Sequence, residues 1–242
     1  MYTQPPRIVV RKHYAVLFLL ASLIFYFSFL FPASAEHAPS APVQEVAPFV
    51  RVVTLPVNDI AYDKVSKKIF ASIPSAAGPS GNSVVEIDPV TGAPGAPVFV
   101  GSEPNKLAIS DDGQAIYVGI DGAAAVRRVD VASHTATTQF RLGSDPGGGT
   151  FWTAGDLAVV PGNPNAVAIA RVQPGLSPPG KGVAVYDNGV QRVNTTPNSG
   201  GPSYIAFGTN ATTLYGSVLF SGSLQKMTVD ASGVASNGFG PS

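Results

Sequence analysis

A three-residue signature, aliphatic-Ala-apolar, returns four times along this chain, at Ile60-Ala61-Tyr62, Leu107-Ala108-Ile109, Leu157-Ala158-Val159 and Ile205-Ala206-Phe207. Its alanines lie 47, 50 and 48 residues apart. A period of this size, filled with short apolar runs and Gly, Pro, Asn and Asp turns, is the mark of a β-propeller, in which each repeat is one four-stranded blade. The predicted fold class is therefore all-β, with about four antiparallel blades in units of roughly 55–101, 102–143, 144–200 and 201–242.

Each unit continues in the same way. The first strand is followed by a tight turn and a second apolar run, as in Lys68-Ile69-Phe70-Ala71, Ala115-Ile116-Tyr117-Val118, Ala166-Val167-Ala168-Ile169 and Thr213-Leu214-Tyr215. The clearest turn is Ser110-Asp111-Asp112-Gly113, where Asp supports the bend and Gly supplies a positive φ. A third strand ends in an aspartate every time, at Asp88, Asp130, Asp187 and Asp230, which the pattern predicts to cap the turn into the outer strand. Fourth strands are visible at Pro97–Val100 and Thr138–Leu142, weaker at Val190–Val193, and scarcely present after Gly233.

Unit two is the sharpest. Its Gly101-Ser102-Glu103-Pro104, Leu107–Gly113 and Ile116-Tyr117-Val118-Gly119 resemble the YVTN-type repeat of surface-layer-like, extracytoplasmic β-propellers. The resemblance runs over residues 54 to 230 and is weakest in unit three, where loops at 144–155 and 172–181 interrupt it. Gly119-Ile120 stands where that repeat has Thr-Asn, so the resemblance reaches the superfamily and no closer relative. It implies an exported propeller of unassigned activity, part of a larger ring.

Ring closure follows from the same count. Phe49–Thr54 reads as an outer strand without a blade of its own, which either completes unit four in a small four-bladed ring or belongs with a blade after Ser242. An incomplete ring leaves open sheet faces and unpaired edges that invite association, yet it is the expectation, because the resemblance is to larger rings and Gly238–Ser242 offers no clear closing strand. If four units must close by themselves, an oligomer is the remaining route.

The N-terminus bears Arg7, Arg11 and Lys12, an apolar run from Tyr14 to Phe31, and Ala33-Ser34-Ala35 before Glu36. That is the pattern of a secretory signal peptide over residues 1–35, with an uncleaved membrane anchor as the alternative. Residues 36–48, rich in Pro and Ala, read as a linker, and 49–242 as the blades. Cleavage leaves twelve basic against fifteen acidic residues, a balance that speaks against nucleic acid as partner. The expected location is periplasmic, cell-surface or secreted. The chain has no cysteine, which excludes disulfides, thiolate nucleophiles and thiolate metal sites.

Other motifs have structural readings. Gly175–Gly182 approaches a phosphate-binding loop, but Gly182 replaces the required Ser or Thr and a strand follows where a helix is needed. His134 falls in a rim turn, Asp111 and Asp112 lack the alternation of a calcium loop, and Arg127-Arg128 place one guanidinium on each sheet face. Trp152, beside Phe151, is either an exposed contact or a plug for its own loop. Asn194-Thr195-Thr196 and Asn210-Ala211-Thr212 fit the glycosylation sequon. No catalytic set, metal site or cofactor motif can be written from these residues.

The candidate ligand site is a ring of equivalent positions, Asp59, Lys106, Asp156 and Tyr204, each just ahead of a first-strand core and expected near the mouth of the central channel. Asn58, Glu103, Asn105 and Asp145 are their neighbours. Local hydrogen bonding is the alternative use of these side chains. The functional expectation is a non-catalytic binding or scaffold module for a protein or glycan partner, touching a membrane only if the leader is uncleaved. The alternative is a fragment of a lactonase-like or streptogramin-lyase-like propeller enzyme whose catalytic residues lie outside the chain.

Overall fold

The computed structural model describes residues 50–239 apart from Gly148 and Phe220. The predicted leader, the linker, Phe49 and the last three residues lie outside the described part. Among the described residues sixteen strands form four antiparallel sheets, each a simple meander. Blade one holds β1 (Asp59–Asp63), β2 (Lys68–Ile73), β3 (Ser83–Ile87) and β4 (Val98–Phe99). Blade two holds β5 (Pro104–Ile109), β6 (Ala115–Ile120), β7 (Ala125–Asp130) and β8 (Thr135–Arg141). Blade three holds β9 (Thr153–Val159), β10 (Ala166–Val172), β11 (Gly180–Asp187) and β12 (Val190–Gln191). Blade four holds β13 (Tyr204–Phe207), β14 (Thr213–Ser217), β15 (Leu224–Asp230) and β16 (Gly233–Phe239).

The innermost strands pack in chain order, β1 on β5, β5 on β9 and β9 on β13. Strand β13 has no comparable packing against β1 among the described residues, so the blades form an open arc. Both faces of an inner sheet are apolar, because each must fill a gap to a neighbour; β6 is buried along its whole length. Three apolar layers result. Phe70 and Val84 meet Leu107, Ile116 and Val118 between blades one and two. Tyr117, Val126 and Phe140 meet Trp152, Leu157 and Ile169 between blades two and three. Ala168, Val183 and Val185 meet Ile205, Leu214 and Met227 between blades three and four.

Register explains the repeated alanine. It stands opposite Phe70 in blade one, Tyr117 in blade two, Ala168 in blade three and Tyr215 in blade four. A small residue on the inner strand leaves room for the larger second-strand side chain facing the next blade; in blade three, where both are alanine, Val183 and Val185 of β11 make the contact with blade four instead. Tyr186 lies 4.9 Å from the Phe140 ring between centroids.

Two sequence expectations are corrected. The fourth strand of unit four, scarcely visible in the sequence, is the seven-residue β16. Its polar Ser236 and Asn237 hide the alternation, and its pairing is set by the turn at Asp230 and by a bridge from Gly233 to Asn194 of the preceding blade. Gly233 takes φ +141, and a Cβ there would collide with the Asn194 carbonyl. The outer strand expected at Phe49–Thr54 is likewise absent among the described residues. Residues 51–57 form no strand; Val53 and Leu55 instead cover Ile69, Ala71, Ile73 and Val85 on the free face of blade one. Blade four, already complete, has no use for that segment.

The turn aspartates behave as expected in three blades. Asp88 accepts from the amides of Val90 and Thr91, Asp130 from Ser133, and Asp230 from Ser232 and Gly233. Asp187 pairs instead with the Arg192 guanidinium through two hydrogen bonds of 2.7 and 2.8 Å. Gly113 has φ +71, as its turn requires, and Asp112 accepts from Ser110 Oγ and the Gln114 amide.

Tyr117 is 1% exposed and donates to the Pro164 carbonyl at 3.0 Å. Tyr117→Ala is expected to cost about 3–5 kcal/mol and Tyr117→Phe about 1 kcal/mol, read from urea unfolding midpoints.

Hydrogen bonds hold the carboxyls of Asp112, Asp130, Asp187 and Asp230 below the ordinary value of 3.8, those of Asp88 by its bond from Lys68, and that of Asp63 despite partial burial. Their native forms give up protons more readily than the unfolded chain, so the stability they contribute is present above that value and lost as pH falls below it. Asp121 and Asp156, raised by burial, act in the opposite sense. With six carboxyls lowered against two raised, the melting temperature is expected to fall on acidification from pH 5 through about 3.8 toward pH 2.

Candidate functional site

The ring of equivalent positions exists, but its members have different work. Asp59 accepts from the Leu107 amide of the next blade through Oδ2 (3.0 Å) and from the Ile60 amide through Oδ1. Asp156 repeats the arrangement one blade pair later, accepting from Ile205 at 2.8 Å and Leu157 at 2.9 Å. Each carboxylate ties its own inner strand to the following one. Burial pushes the Asp156 carboxyl up, opposed by these two amides and by nearby Lys106.

Lys106 occupies the same place in blade two and cannot accept; its ammonium has no hydrogen bond or ion pair among the described residues. Tyr204 stands on the face of blade four that no blade follows, half exposed. The neighbours are engaged too. Asn58 Nδ2 donates to the Pro104 carbonyl at 2.8 Å, the Ser75 hydroxyl donates to Glu103, and Asn105 Nδ2 donates to Asp121 Oδ2 at 2.8 Å.

A second region lies outward from Lys106 and Asn105. A cleft of about 460 Å³ between blades two and three is lined by Asp121, Arg141, Thr150, Phe151, Thr153 and Pro174. Asp121 enters it just after β6; its Oδ2 holds Asn105, while Oδ1 has no partner among the described residues. Burial pushes this carboxyl up, partly offset by Asn105 and Lys106. Arg141 stands 5.5 Å over the Phe151 ring, which is 53% exposed. The cleft thus combines an aromatic ring, a guanidinium, a carboxyl and hydroxyls.

Beneath it the loop entering blade three is anchored. Trp152 is buried and acts as the plug of its own loop; its indole donates to Asp145 Oδ1 at 3.3 Å, and Arg171 stacks 4.7 Å over its ring. Lys181, the lysine of the near phosphate-loop sequence, pairs with Asp145 at 3.0 Å, and Gly180–Gly182 belong to β11. Burial lowers the Arg171 guanidinium, whose amide partners are Gln191 and Asn198. Asp145 is therefore a loop anchor. Asp121 and Arg141 were missed in the sequence because one follows and the other ends a strand of unremarkable composition; only the packing of blade two against blade three brings them beside Phe151.

Elsewhere, His134 lies 3.4 Å from Glu86 at the mouth of a cavity of about 280 Å³ between blades one and two. Arg127 donates to Gln139 at 3.0 Å, and Arg128 approaches Asp130 at 3.9 Å. Asp111 Oδ2 accepts from the Gly162 amide of the next blade, and among the described residues no three His, Cys, Asp or Glu side chains are grouped to hold a metal.

The arc is similar to known structures. It matches hydrazine synthase of Kuenenia stuttgartiensis with a TM-score of 0.55 at 19% identity, over 78% of this chain and 49% of that one. It matches U3-55K with a TM-score of 0.57 at 13% identity, over 77% and 53%. Both contain β-propellers. The fold is a β-propeller. The chain spans about half the length of these propeller proteins, and likeness at such identity concerns the fold alone. No protein-family model and no curated protein matches the sequence.

Replacing Asp156 by Ala leaves two inner-strand amides unpaired and is expected to cost about 1–3 kcal/mol. Hydrogen exchange should quicken at Ile205 and Leu157. Lys106→Met, which removes no bond, is expected to stay within about 0.5 kcal/mol of the parent.

Proposed function

We propose that this chain is an exported, non-catalytic binding module of the YVTN-type superfamily, and that it holds a glycan in the cleft between blades two and three. Export is supported by the basic, apolar and Ala-x-Ala sequence of residues 7–35, and the superfamily by the residues of unit two. The observation that carries the glycan reading is the cleft's chemistry. Phe151 offers a half-exposed apolar ring to the C–H face of a sugar, while Arg141 and the threonine hydroxyls supply hydrogen bonds to its hydroxyl edge. Trp152, Arg171 and Asp145 hold the Phe151 loop in place, which lowers the ordering cost on binding.

The test is calorimetric titration of the exported protein, which is expected to begin at Glu36, with a panel of soluble neutral and acidic oligosaccharides. At least one should bind with micromolar to millimolar affinity, and Phe151→Ala and Arg141→Ala should each weaken it about tenfold or more without changing the circular dichroism. Absence of binding across the panel, or binding indifferent to both substitutions, overturns the proposal.

A further inference from the structure

The interface between blades one and two and that between blades two and three are built on one register, so their fillings can be compared position by position. Phe70 and Tyr117 hold the same second-strand place, each opposite the repeated alanine. Counted from there, Val84 in the third strand of blade one corresponds to Val126 of blade two, and their outer-strand partners are Val98 and Phe140. On the facing blade, Val129 of blade two corresponds to Tyr186 of blade three, opposite Ile116 and Val167 respectively. Between blades two and three, Phe140 and Tyr186 meet with ring centroids 4.9 Å apart and are both buried. Between blades one and two the same two places hold Val98 and Val129, and the space that two rings fill in one interface is the cavity of about 280 Å³ in the other.

The surroundings follow the same comparison. Gly189, in the turn after β11, lies against Phe140, and a Cβ there would come to 3.0 Å from the ring. The longer turn at that place in blade two puts Val131 and His134 on the cavity instead. Phe70, Val84 and Ile116 complete its apolar walls and are themselves buried. The ionisable side chains on the cavity are Glu86 and His134. Glu86 Oε2 lies 3.4 Å from His134 Nε2, and Oε1 lies 3.7 Å from Lys68 Nζ, both longer than an ordinary hydrogen bond, while Lys68 is held by Asp88 at 2.7 Å. Glu86 therefore keeps accepting capacity at the edge of an apolar space. In the sister interface the corresponding polar contact is that of the Tyr186 hydroxyl, which donates to Gln191 Oε1 at 3.1 Å.

We propose that this cavity binds a small phenol, whose ring takes the volume that Phe140 and Tyr186 fill one interface further on and whose hydroxyl donates to Glu86. The repeat itself identifies the chemistry of the occupant, since the sister interface is filled at these two places by aromatic rings, one of them a phenol bonded to an acceptor. Size agrees with it. An apolar cavity of about 150 Å³ already takes benzene, so about 280 Å³ admits a substituted phenol or a naphthol. The bond from a phenolic hydroxyl to a carboxylate is charge-assisted, and it separates phenol from toluene, which has the same shape and no donor. The site is distinct from the glycan cleft between blades two and three, and the inference does not rest on that reading.

The test is a nuclear magnetic resonance titration of the exported protein with phenol and, separately, with toluene. Phenol is expected to shift the amides of Phe70, Val84 and Val129 saturably at millimolar concentration or below, and toluene to bind about tenfold more weakly. Glu86→Ala, at a partly exposed position, should bring phenol down to the affinity of toluene and leave toluene unchanged. Val98→Phe, which installs the packing of blade two, should lose both ligands while melting no lower than the parent. Phe151→Ala, in the other cleft, should change neither. Absence of saturable phenol binding overturns the proposal. So does a phenol affinity indifferent to Glu86→Ala, one retained in a folded Val98→Phe variant, or one lost with Phe151→Ala, which would put the ring in the cleft between blades two and three.

Discussion

Face-to-face packing of consecutive sheets is the interaction on which everything else here depends. The sheets of blades two and three have no polar side broad enough to face water, and no sheet buries its apolar surface alone. The repeated alanine on the inner strand and the larger side chain opposite it set how closely two blades approach. Where that partner is itself small, at Ala168, the valines of β11 carry the contact with blade four. The stability of any blade is thus held in common with its neighbours, and the two end faces are the places where the arrangement is unfinished.

Polar groups at the channel and rim serve that packing. Asp59 and Asp156 satisfy backbone amides across blade boundaries, a task for which an acceptor must be buried despite the desolvation it suffers. The same holds for Asp111, which reaches the Gly162 amide of blade three. Carboxylates so occupied are poor candidates for ligand contact, whereas Lys106 and Arg141 retain unused donors among the described residues. The proposed binding site therefore lies away from the channel mouth, in the cleft between blades two and three, where an anchored loop presents Phe151.

Much of this was legible in the chain. The four alanine-centred signatures located every inner strand, and the aspartates at the ends of the third strands marked turns that three of them cap. Val190–Val193 read as a weak strand and is one, with two paired residues. Strand β16 was illegible because its pairing comes from an Asp230 turn and a neighbouring blade, not from alternation of its own residues. The segment before β1 looked like a strand because Val50, Val52 and Val53 are β-formers, yet blade four already has its four strands and Val53 and Leu55 lie as a cover on blade one. Among the site residues, Asp59 and Asp156 were found for the right position and a different use.

By itself the sequence determined the repeat, its four-stranded unit, the turns and the absence of thiol chemistry, because these depend on local periodicity and residue type. Tertiary structure alone decided that the described blades form an open arc, that Tyr215, Leu224 and Ile60 stand exposed among the described residues in positions buried elsewhere, and that Asp121, Arg141 and Phe151 share one cleft. Those facts depend on which sheet lies against which, and a repeat that reads the same in every unit carries no record of where its neighbours end.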